Sequence, residues 1–240
     1  VQECLEAALS KVANHPVAVV CAGRTDAGVH GTGQVVHFDS DASREMKSWI
    51  MGANTNLPRD VTVRWAVPVD DGFHARFSAV SRRYRYVIYN HARPPALYRN
   101  QVTWNYRPLD VAAMREAAGY LVGEHDFTAY RSVHCQAKSP LKTMHSLTLY
   151  EHGKVLVLEA HANAFLMHMV RNIAGVLMSV GAGKKPPHWA REVLEGRDRR
   201  KGAATAPPFG LYLVEIEYPD SFALPKDSLG PLWLPDDLQA

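Results

Sequence analysis

The chain has 240 residues, of which 47% are hydrophobic, and its formal net charge is only +3. This composition excludes a globally disordered chain, and no apolar stretch reaches the roughly 18 to 20 residues that span a membrane. The three cysteines, Cys4, Cys21 and Cys135, lie far apart, which indicates free thiols in a reducing compartment and predicts a cytoplasmic protein.

The first part of the chain predicts short helices and strands in alternation. Hydrophobic periodicity and breaking residues such as Pro16 set their bounds. In chain order they are a helix over 1–12, strands over 16–21 and 34–38, a helix from Asp41 or Ser43 to Ala53, and strands over 61–67 and 78–89.

The second part of the chain predicts more helices and a hairpin. In chain order we expect a helix over 108–122, a compact polar segment over 123–132, hairpin strands over 146–150 and 154–162, helices over 163–180 and 189–194, and a closing strand over 211–218. Hairpins with few strand–helix–strand crossovers favour an α+β fold with mainly antiparallel sheets.

The basic, proline-containing stretch at 93–108 predicts a boundary between two halves, 1–105 and 106–240. Charge is also uneven along the chain. The tail after Pro219 is rich in proline and carries four aspartates, Asp220, Asp227, Asp236 and Asp237, beside one lysine, Lys226. We expect this tail to be extended.

The clearest strand, 78–89, interleaves cations with aromatic residues. Alternation places Tyr84, Tyr86 and Ile88 on one face and Arg83, Arg85, Val87 and Tyr89 on the other.

A glycine-punctuated run from Gly23 to Val36 places a carboxylate, Asp26, two residues after Arg24 and between two predicted strands. A carboxylate on a loop held by a rigid scaffold is suited to catalysis. Asp26 in such a turn can equally cap backbone amides, or form a surface ion pair that contributes little. Local sequence leaves these interpretations open.

Known phosphate and metal motifs do not match. The glycine order Gly28-x-x-Gly31-x-Gly33 reverses the dinucleotide fingerprint, and the Gly-Lys-Ser/Thr of a P-loop is absent. His30 with His37, and His161 with His168, are spaced seven apart, and no C-x-x-C or H-E-x-x-H occurs. We therefore expect neither a metal nor a bound nucleotide cofactor.

Taken together with four later motifs, the Gly23–Val36 run resembles the TruA family of tRNA pseudouridine synthases over essentially the whole chain. The later motifs are Phe73-His74-Ala75-Arg76-Phe77-Ser78, Arg82-Arg83-Tyr84-Arg85-Tyr86, Asn163-Ala164-Phe165 with His168-Met169-Val170-Arg171-Asn172-Ile173, and Gly210-Leu211-Tyr212-Leu213. The resemblance implies two α+β subdomains, mainly antiparallel sheets flanked by helices, around a central cleft.

The resemblance also implies roles for individual residues. Asp26 is the catalytic carboxylate, which attacks the uracil ring or assists at the ribose C1′, without a cofactor. Arg171 is its cationic partner, and Tyr84 stacks on the flipped uracil. Arg24 fills the space that the flipped base leaves in the RNA helix, which offsets part of the unstacking cost.

The implied substrate is tRNA, with uridines modified at about positions 38 to 40 of the anticodon stem-loop, a range that indicates recognition of RNA shape. Members act as homodimers. Candidates for phosphate contacts are Arg44, Arg76, Arg82, Arg83 and Arg85, although each also suits a solvated surface position.

Family members begin with a strand bearing a Tyr-Asp-Gly-like motif, whereas this sequence opens at the following helix, as expected for a fragment or truncated gene product. If the missing strand abolished activity, the chain would be a non-catalytic RNA-binding module. Asp26 discriminates between the two functions, because a carboxylate among phosphates weakens pure binding.

Overall fold

A computed structural model describes residues 1–227, 229–235 and 238 of the chain. The chain forms two compact units. Unit 1 comprises residues 1–24, 34–80 and 217–227, and unit 2 comprises residues 25–33, 81–216 and the described residues after 228. The boundary predicted between residues 105 and 106 lies within unit 2, because strands from both predicted halves pair in one sheet.

Helices are interspersed with runs of one to three strands along the chain. In order they are α1 (Gln2–Ala13), β1 (Val20–Cys21), β2 (His30–Gly31), β3 (Val36–His37), α2 (Met46–Asn56), β4 (Ser81–Asn90), β5 (Thr103–Asn105), α3 (Val111–Gly119), β6 (Gly123–Asp126), β7 (Leu141–His152), β8 (Val155–Ala162), α4 (Met169–Gly181), α5 (Trp189–Glu195) and β9 (Leu211–Glu217). Single 3-10 turns cover Thr128–Tyr130, Arg199–Lys201 and Asp220–Phe222.

Unit 1 packs α1 and α2 around a small core that includes Leu9 and Trp49, and β1 pairs antiparallel with β3. The strand predicted over 61–67 is wrong. Asn54 replaces a neighbouring strand there: its Nδ2 donates to the Val63 carbonyl at 2.8 Å and its Oδ1 accepts from the Val63 amide at 2.7 Å. Because the Asn54 side chain satisfies the backbone N–H and C=O groups of Val63, these groups need no hydrogen bonds to a neighbouring strand.

Unit 2 is built on a sheet whose strand order is β2-β9-β4-β8-β7-β6, with β5 also paired to β4. The long pairs β4–β8, β7–β8 and β6–β7 are antiparallel, whereas the short pairs β2–β9 and β4–β5 are parallel. The predicted α+β class with mainly antiparallel sheets is confirmed.

Strand β4 divides its side chains between two cores, as its alternation predicts. Tyr86 and Ile88 are fully buried in the core formed with α3 and α4. On the opposite face, Val87 packs with Leu234 of the C-terminal segment. The described part of the tail after residue 228 therefore packs on the sheet instead of extending freely, while Asp236 and Asp237 lie outside the described residues.

Several bounds differ from those predicted. Helix α3 begins at Val111 because Asp110 accepts a hydrogen bond from the Ala113 amide and caps it. Helix α4 begins at Met169 and not at Asn163, because His168 has φ 63°. Within the described residues, no helix is long and apolar enough to cross a membrane, and no three His, Cys, Asp or Glu residues gather into a metal-holding group.

Candidate active site

The loop that carries Asp26 is a tight turn leading into β2. The Val29 amide donates to the Asp26 carbonyl at 3.0 Å, and Gly28 has φ 80°, a conformation that other residues rarely adopt. A side chain at Gly28 would press on the Pro208 and Phe209 rings. His30 then pairs with Tyr212 of β9, so that the strand anchors the end of the loop.

The Asp26 carboxylate lies beside two nitrogen donors from the start of α4. Arg171 Nη1 donates to Asp26 Oδ2 at 2.8 Å, and His168 Nε2 lies 3.3 Å from the same oxygen. Arg171 is itself fixed, since its Nε donates to the Ala206 carbonyl at 2.9 Å. The Asp26 side chain is 29% exposed, so a charged carboxylate is held in place and remains open to a substrate.

His168 was missed as a site residue by the sequence reasoning, which weighed it only as a metal ligand. It precedes α4 with φ 63°, in the left-handed region that is uncommon outside glycine. Such strain concentrates at functional positions. Its spacing of three from Arg171 was the available signal, because residues three apart lie on one helix face.

Tyr84 lies on β4 with its ring half-buried against Phe165. The two rings meet edge to face, 4.9 Å apart and at 77°. Burial raises the pKa of the Tyr84 phenol to about 12, the negative charge of Asp26 adds to the rise, and the Arg82 guanidinium opposes it. The Tyr84 hydroxyl is therefore neutral at physiological pH.

Behind Arg171, its neighbour Asn172 joins three segments of unit 2. Asn172 is 2% exposed, and its Nδ2 donates to the Tyr130 carbonyl at 2.7 Å. Its Oδ1 accepts from Thr205 Oγ1 at 2.7 Å and from Arg199 Nη2 at 2.9 Å. Sequence reasoning did not find Arg199 or Thr205, which carry no distinguishing local pattern.

Comparison with known proteins identifies the family. A family model described as tRNA pseudouridine synthase matches residues 1–78 and 117–219. The chain belongs to the tRNA pseudouridine synthase family. This family catalyses the isomerisation of uridine to pseudouridine in tRNA, so the chain is grouped with isomerase enzymes.

Relatives named tRNA pseudouridine synthase A agree over nearly the whole length. The protein of Alcanivorax borkumensis is 89% identical over 240 residues, which cover 100% of this chain and 90% of the relative. That of Pseudomonas aeruginosa is 62% identical over 98% of this chain and 82% of its own length. That of Vibrio cholerae is 57% identical over 99% of this chain and 90% of its own length.

Three of the arginines that are candidates for RNA contact lie on β4, and their surroundings differ. Arg82 is half-buried and donates to the Asn163 carbonyl at 3.1 Å. Arg83 pairs with Glu159 at 3.0 Å and with Glu215 at 2.9 Å, which offsets its charge.

Arg85 does not fit a role in RNA contact. It is 3% exposed, pairs with Glu159 at 2.8 Å, and donates to the carbonyls of Leu229 and Gly230 at 3.0 and 3.2 Å. Its alternation on β4 turns it toward the sheet face that the C-terminal segment covers, so we expect it to support the fold instead.

The remaining candidates for phosphate contact, Arg24, Arg44 and Arg76, lie in unit 1. Arg24 is exposed and is the last residue of unit 1 before the Asp26 loop, which belongs to unit 2. Arg44 is exposed and its Nε donates to the Val12 carbonyl at 3.2 Å. Arg76 is exposed, with its guanidinium 5.5 Å from the centre of the Phe77 ring. Their exposure leaves all three available to solvent.

Proposed function

We propose that this chain converts uridines at about positions 38 to 40 of the tRNA anticodon stem-loop to pseudouridine, recognising RNA shape, with Asp26 as its catalytic carboxylate. The observation that carries the proposal is the Asp26 carboxylate held by Arg171 at 2.8 Å and flanked by His168 at 3.3 Å. The charge-assisted hydrogen bond from Arg171 orients the carboxylate, so that its other oxygen is left for the reacting base or ribose.

The reaction is an isomerisation and needs no net exchange of atoms. The N1–C1′ bond of uridine breaks, the base turns, and a C5–C1′ bond forms. The proton on C5 then leaves, and N1 is protonated. Asp26 supports the break either by attack on the uracil ring or by assistance at C1′, and both routes require a carboxylate that is charged before the substrate arrives.

Tyr84 supplies a flat, neutral ring for the flipped base. Because burial raises its pKa to about 12, almost none of it is phenolate at neutral pH. Its role is therefore to stack on the uracil, and any part in removing the C5 proton runs through the intact hydroxyl. Phe165 contacts the ring edge to face, a favourable aromatic arrangement that supports its position.

The phosphate contacts proposed for the tRNA come from Arg24, Arg44, Arg76 and Arg82, with Arg83 contributing less because two glutamates pair with it. We also propose a homodimer, in which two mildly basic chains present one tRNA with a larger positive surface. A cytoplasmic location follows from the tRNA substrate and agrees with free Cys4, Cys21 and Cys135.

The test is release of tritium from tRNA labelled at uridine C5. The parent chain should release tritium, Asp26→Asn should release none, and the exposed-site control Asp71→Asn should match the parent. Equal release by Asp26→Asn would remove Asp26 as the essential group. No release by the parent, with tRNA binding retained, would favour the RNA-binding module instead.

A further inference from the structure

A cavity of about 420 Å³ lies beside the candidate active site in unit 2. Its lining includes His168, Arg199, Arg200, Thr205 and the small residues of 202–204. Since His168 also contacts Asp26, the imidazole links the cavity to the carboxylate. The established family reaction assigns no part to this cavity.

Arg199 lines the cavity, and its side-chain hydrogen bonds go to neutral groups. Its Nη2 donates to Asn172 Oδ1 at 2.9 Å and to Thr205 Oγ1 at 3.0 Å. In the part of the chain that the structure describes, no carboxylate forms an ion pair with this half-buried guanidinium. A guanidinium whose charge no ion pair among the described residues offsets therefore lines the cavity.

The adjacent arginine provides an internal contrast. Arg200 donates from Nε and Nη2 to both oxygens of Asp198, the shorter bond being 2.8 Å. These bonds lower the pKa of the Asp198 carboxyl to about 2. Arg200 thus forms a neutral pair at an exposed position, whereas Arg199 leaves a net cation at the cavity.

An anion suits this arrangement. A cation that is partly removed from water is stabilised by a bound anion, and a guanidinium forms strong, charge-assisted hydrogen bonds to phosphate oxygens. The proposed function makes tRNA the ligand, and the anion that tRNA supplies to this cavity is a backbone phosphate. The ion pair between Arg171 and Asp26 Oδ2 reduces the repulsion between the Asp26 carboxylate and a bound phosphate.

The segment 203–206 both lines the cavity and contacts α4. Residue 175 is glycine, which lets the Ala204 carbonyl lie directly against α4. The Ala206 amide donates to the Arg171 carbonyl at 3.1 Å, and the Ala206 carbonyl accepts from Arg171 Nε at 2.9 Å. The segment that forms the cavity wall therefore also fixes the partner of Asp26.

We propose that this cavity binds the phosphodiester adjoining the target uridine, with Arg199 as the phosphate-binding side chain, and so places the uridine at Asp26. The proposal rests on the proposed function for the identity of the RNA. It assigns Arg199 to binding and positioning, and gives Arg200 no comparable part.

The first test compares Arg199→Gln with the double variant Asp198→Asn/Arg200→Gln, both in the full chain carrying Asp26→Asn so that no turnover occurs. The double variant removes both charges of the neutral pair, so that no carboxylate is left unpaired beside the cavity. The probe is an unmodified tRNA transcript bound at several KCl concentrations. Arg199→Gln should raise Kd about ten-fold and reduce the slope of log K against log salt by about 1, the change expected for one lost phosphate contact. The double variant should change both much less.

A second pair of variants avoids the Arg199 hydrogen bonds, in case their loss impairs folding. Ala204 is exposed on the cavity lining, so Ala204→Glu adds a carboxylate there and Ala204→Gln adds the same bulk without charge. Ala204→Glu should weaken tRNA binding about ten-fold relative to Ala204→Gln. Equal affinity of this pair, or an unchanged Kd and slope in folded Arg199→Gln, would overturn the proposal.

Failure of the site and failure of the function are distinguishable. Tritium release by the parent together with parental tRNA binding by Arg199→Gln would leave the isomerase and remove the phosphate site. Absence of release by the parent, with Arg199-dependent binding, would keep the phosphate site and remove the isomerase.

Discussion

Arg171 donates to Asp26 at 2.8 Å across 145 residues of sequence. The guanidinium is only 13% exposed and is held from behind by the Ala206 carbonyl at 2.9 Å. A cation fixed by a second bond cannot swing away from its carboxylate, so the pair is set before substrate binds. Preorganisation of this kind lowers the cost of keeping a charged group in a partly desolvated site.

Replacing Arg171 should reduce activity strongly. Arg171→Met removes the charge-assisted hydrogen bond to Asp26, which is worth about 2 to 3 kcal/mol, so kcat/KM for tritium release should fall roughly 30- to 160-fold. Arg171→Lys keeps the charge but cannot make both bonds, and its loss should be smaller. A folded Arg171→Met with parental kcat/KM would show that the pair does not support catalysis.

Replacing His168 by glycine should raise stability and lower activity. His168→Gly relieves the backbone strain at φ 63°, so the free energy of unfolding should rise by up to about 1 kcal/mol. The same change removes the imidazole next to Asp26 and should lower kcat/KM about ten-fold.

Asn14→Gly is the matched control for His168, because Asn14 caps α1 with φ 61°. It should alter unfolding only slightly, since asparagine tolerates this conformation, and should leave kcat/KM unchanged. Parental activity in His168→Gly would exclude the imidazole from the reaction.

Parts of the fold with a strong local period could be predicted from sequence. The alternation of β4 and the hairpin through Gly153, which has φ 61°, match the structure because each depends on neighbouring residues. The short strands β2 and β5 were missed because two or three residues carry no period, and β2 also pairs with the distant β9.

The candidate site was only partly visible in the sequence. Asp26 stood out through its glycine loop, but its partner Arg171 came from the family resemblance, since a contact across 145 residues leaves no local signal. Arg199 and Thr205 act through tertiary contacts, and nothing in their sequence neighbourhoods sets them apart. For His168 the spacing of three from Arg171 was the one local signal. Arg85 is a candidate for phosphate contact through its basic neighbours Arg82 and Arg83, and the alternation of β4 does not show what covers its face.

Tyr84 should make stability fall at alkaline pH. Its pKa is raised from 10.0 to about 12 in the folded chain, so the folded state keeps the proton where the unfolded state has lost it. The contribution is complete below pH 10 and is lost as the pH rises from 10 toward 12. Urea unfolding of Tyr84→Phe should show a shallower decline over this range.

The control for Tyr84 is Tyr106→Phe, at an exposed position, which should decline as the parent does. Identical slopes for Tyr84→Phe and the parent would contradict the burial of the Tyr84 hydroxyl. Tyr84→Phe should also retain most tRNA turnover if stacking is its main role, whereas Tyr84→Leu should lose more than ten-fold.

Arg85 should affect stability and not RNA binding. Arg85→Met leaves Glu159 with Arg83 alone and removes the donor to the Leu229 and Gly230 carbonyls, so the free energy of unfolding should fall by about 3 kcal/mol. The exposed control Lys226→Gln, which breaks the surface pair with Asp220, should change it by less than about 0.5 kcal/mol.

Affinity for tRNA separates the two interpretations of Arg85. Measured well below the unfolding temperature, Arg85→Met should bind with the Kd and salt dependence of the parent, because the side chain is 3% exposed. A salt slope reduced by about 1 would instead return Arg85 to the set of phosphate contacts.

Gly175 should be intolerant of a single added methyl group. In Gly175→Ala the new Cβ would collide with the Ala204 carbonyl and force the 203–206 segment away from α4. We expect a loss of about 1 to 3 kcal/mol in the free energy of unfolding. Because Ala206 moves with that segment, its bond to Arg171 should weaken, and kcat/KM should fall even under conditions where the variant is fully folded.

Gly119→Ala provides the opposite outcome in the same unit. Gly119 ends α3, and a Cβ there meets no atom within 4 Å, so the substitution should stabilise the chain by about 0.4 to 1 kcal/mol and leave kcat/KM unchanged. Chemical denaturation of both variants, followed by tritium release at a temperature below both transitions, makes the comparison. If Gly175→Ala were as stable and as active as Gly119→Ala, the close approach of the Ala204 carbonyl to α4 would not determine the position of Arg171.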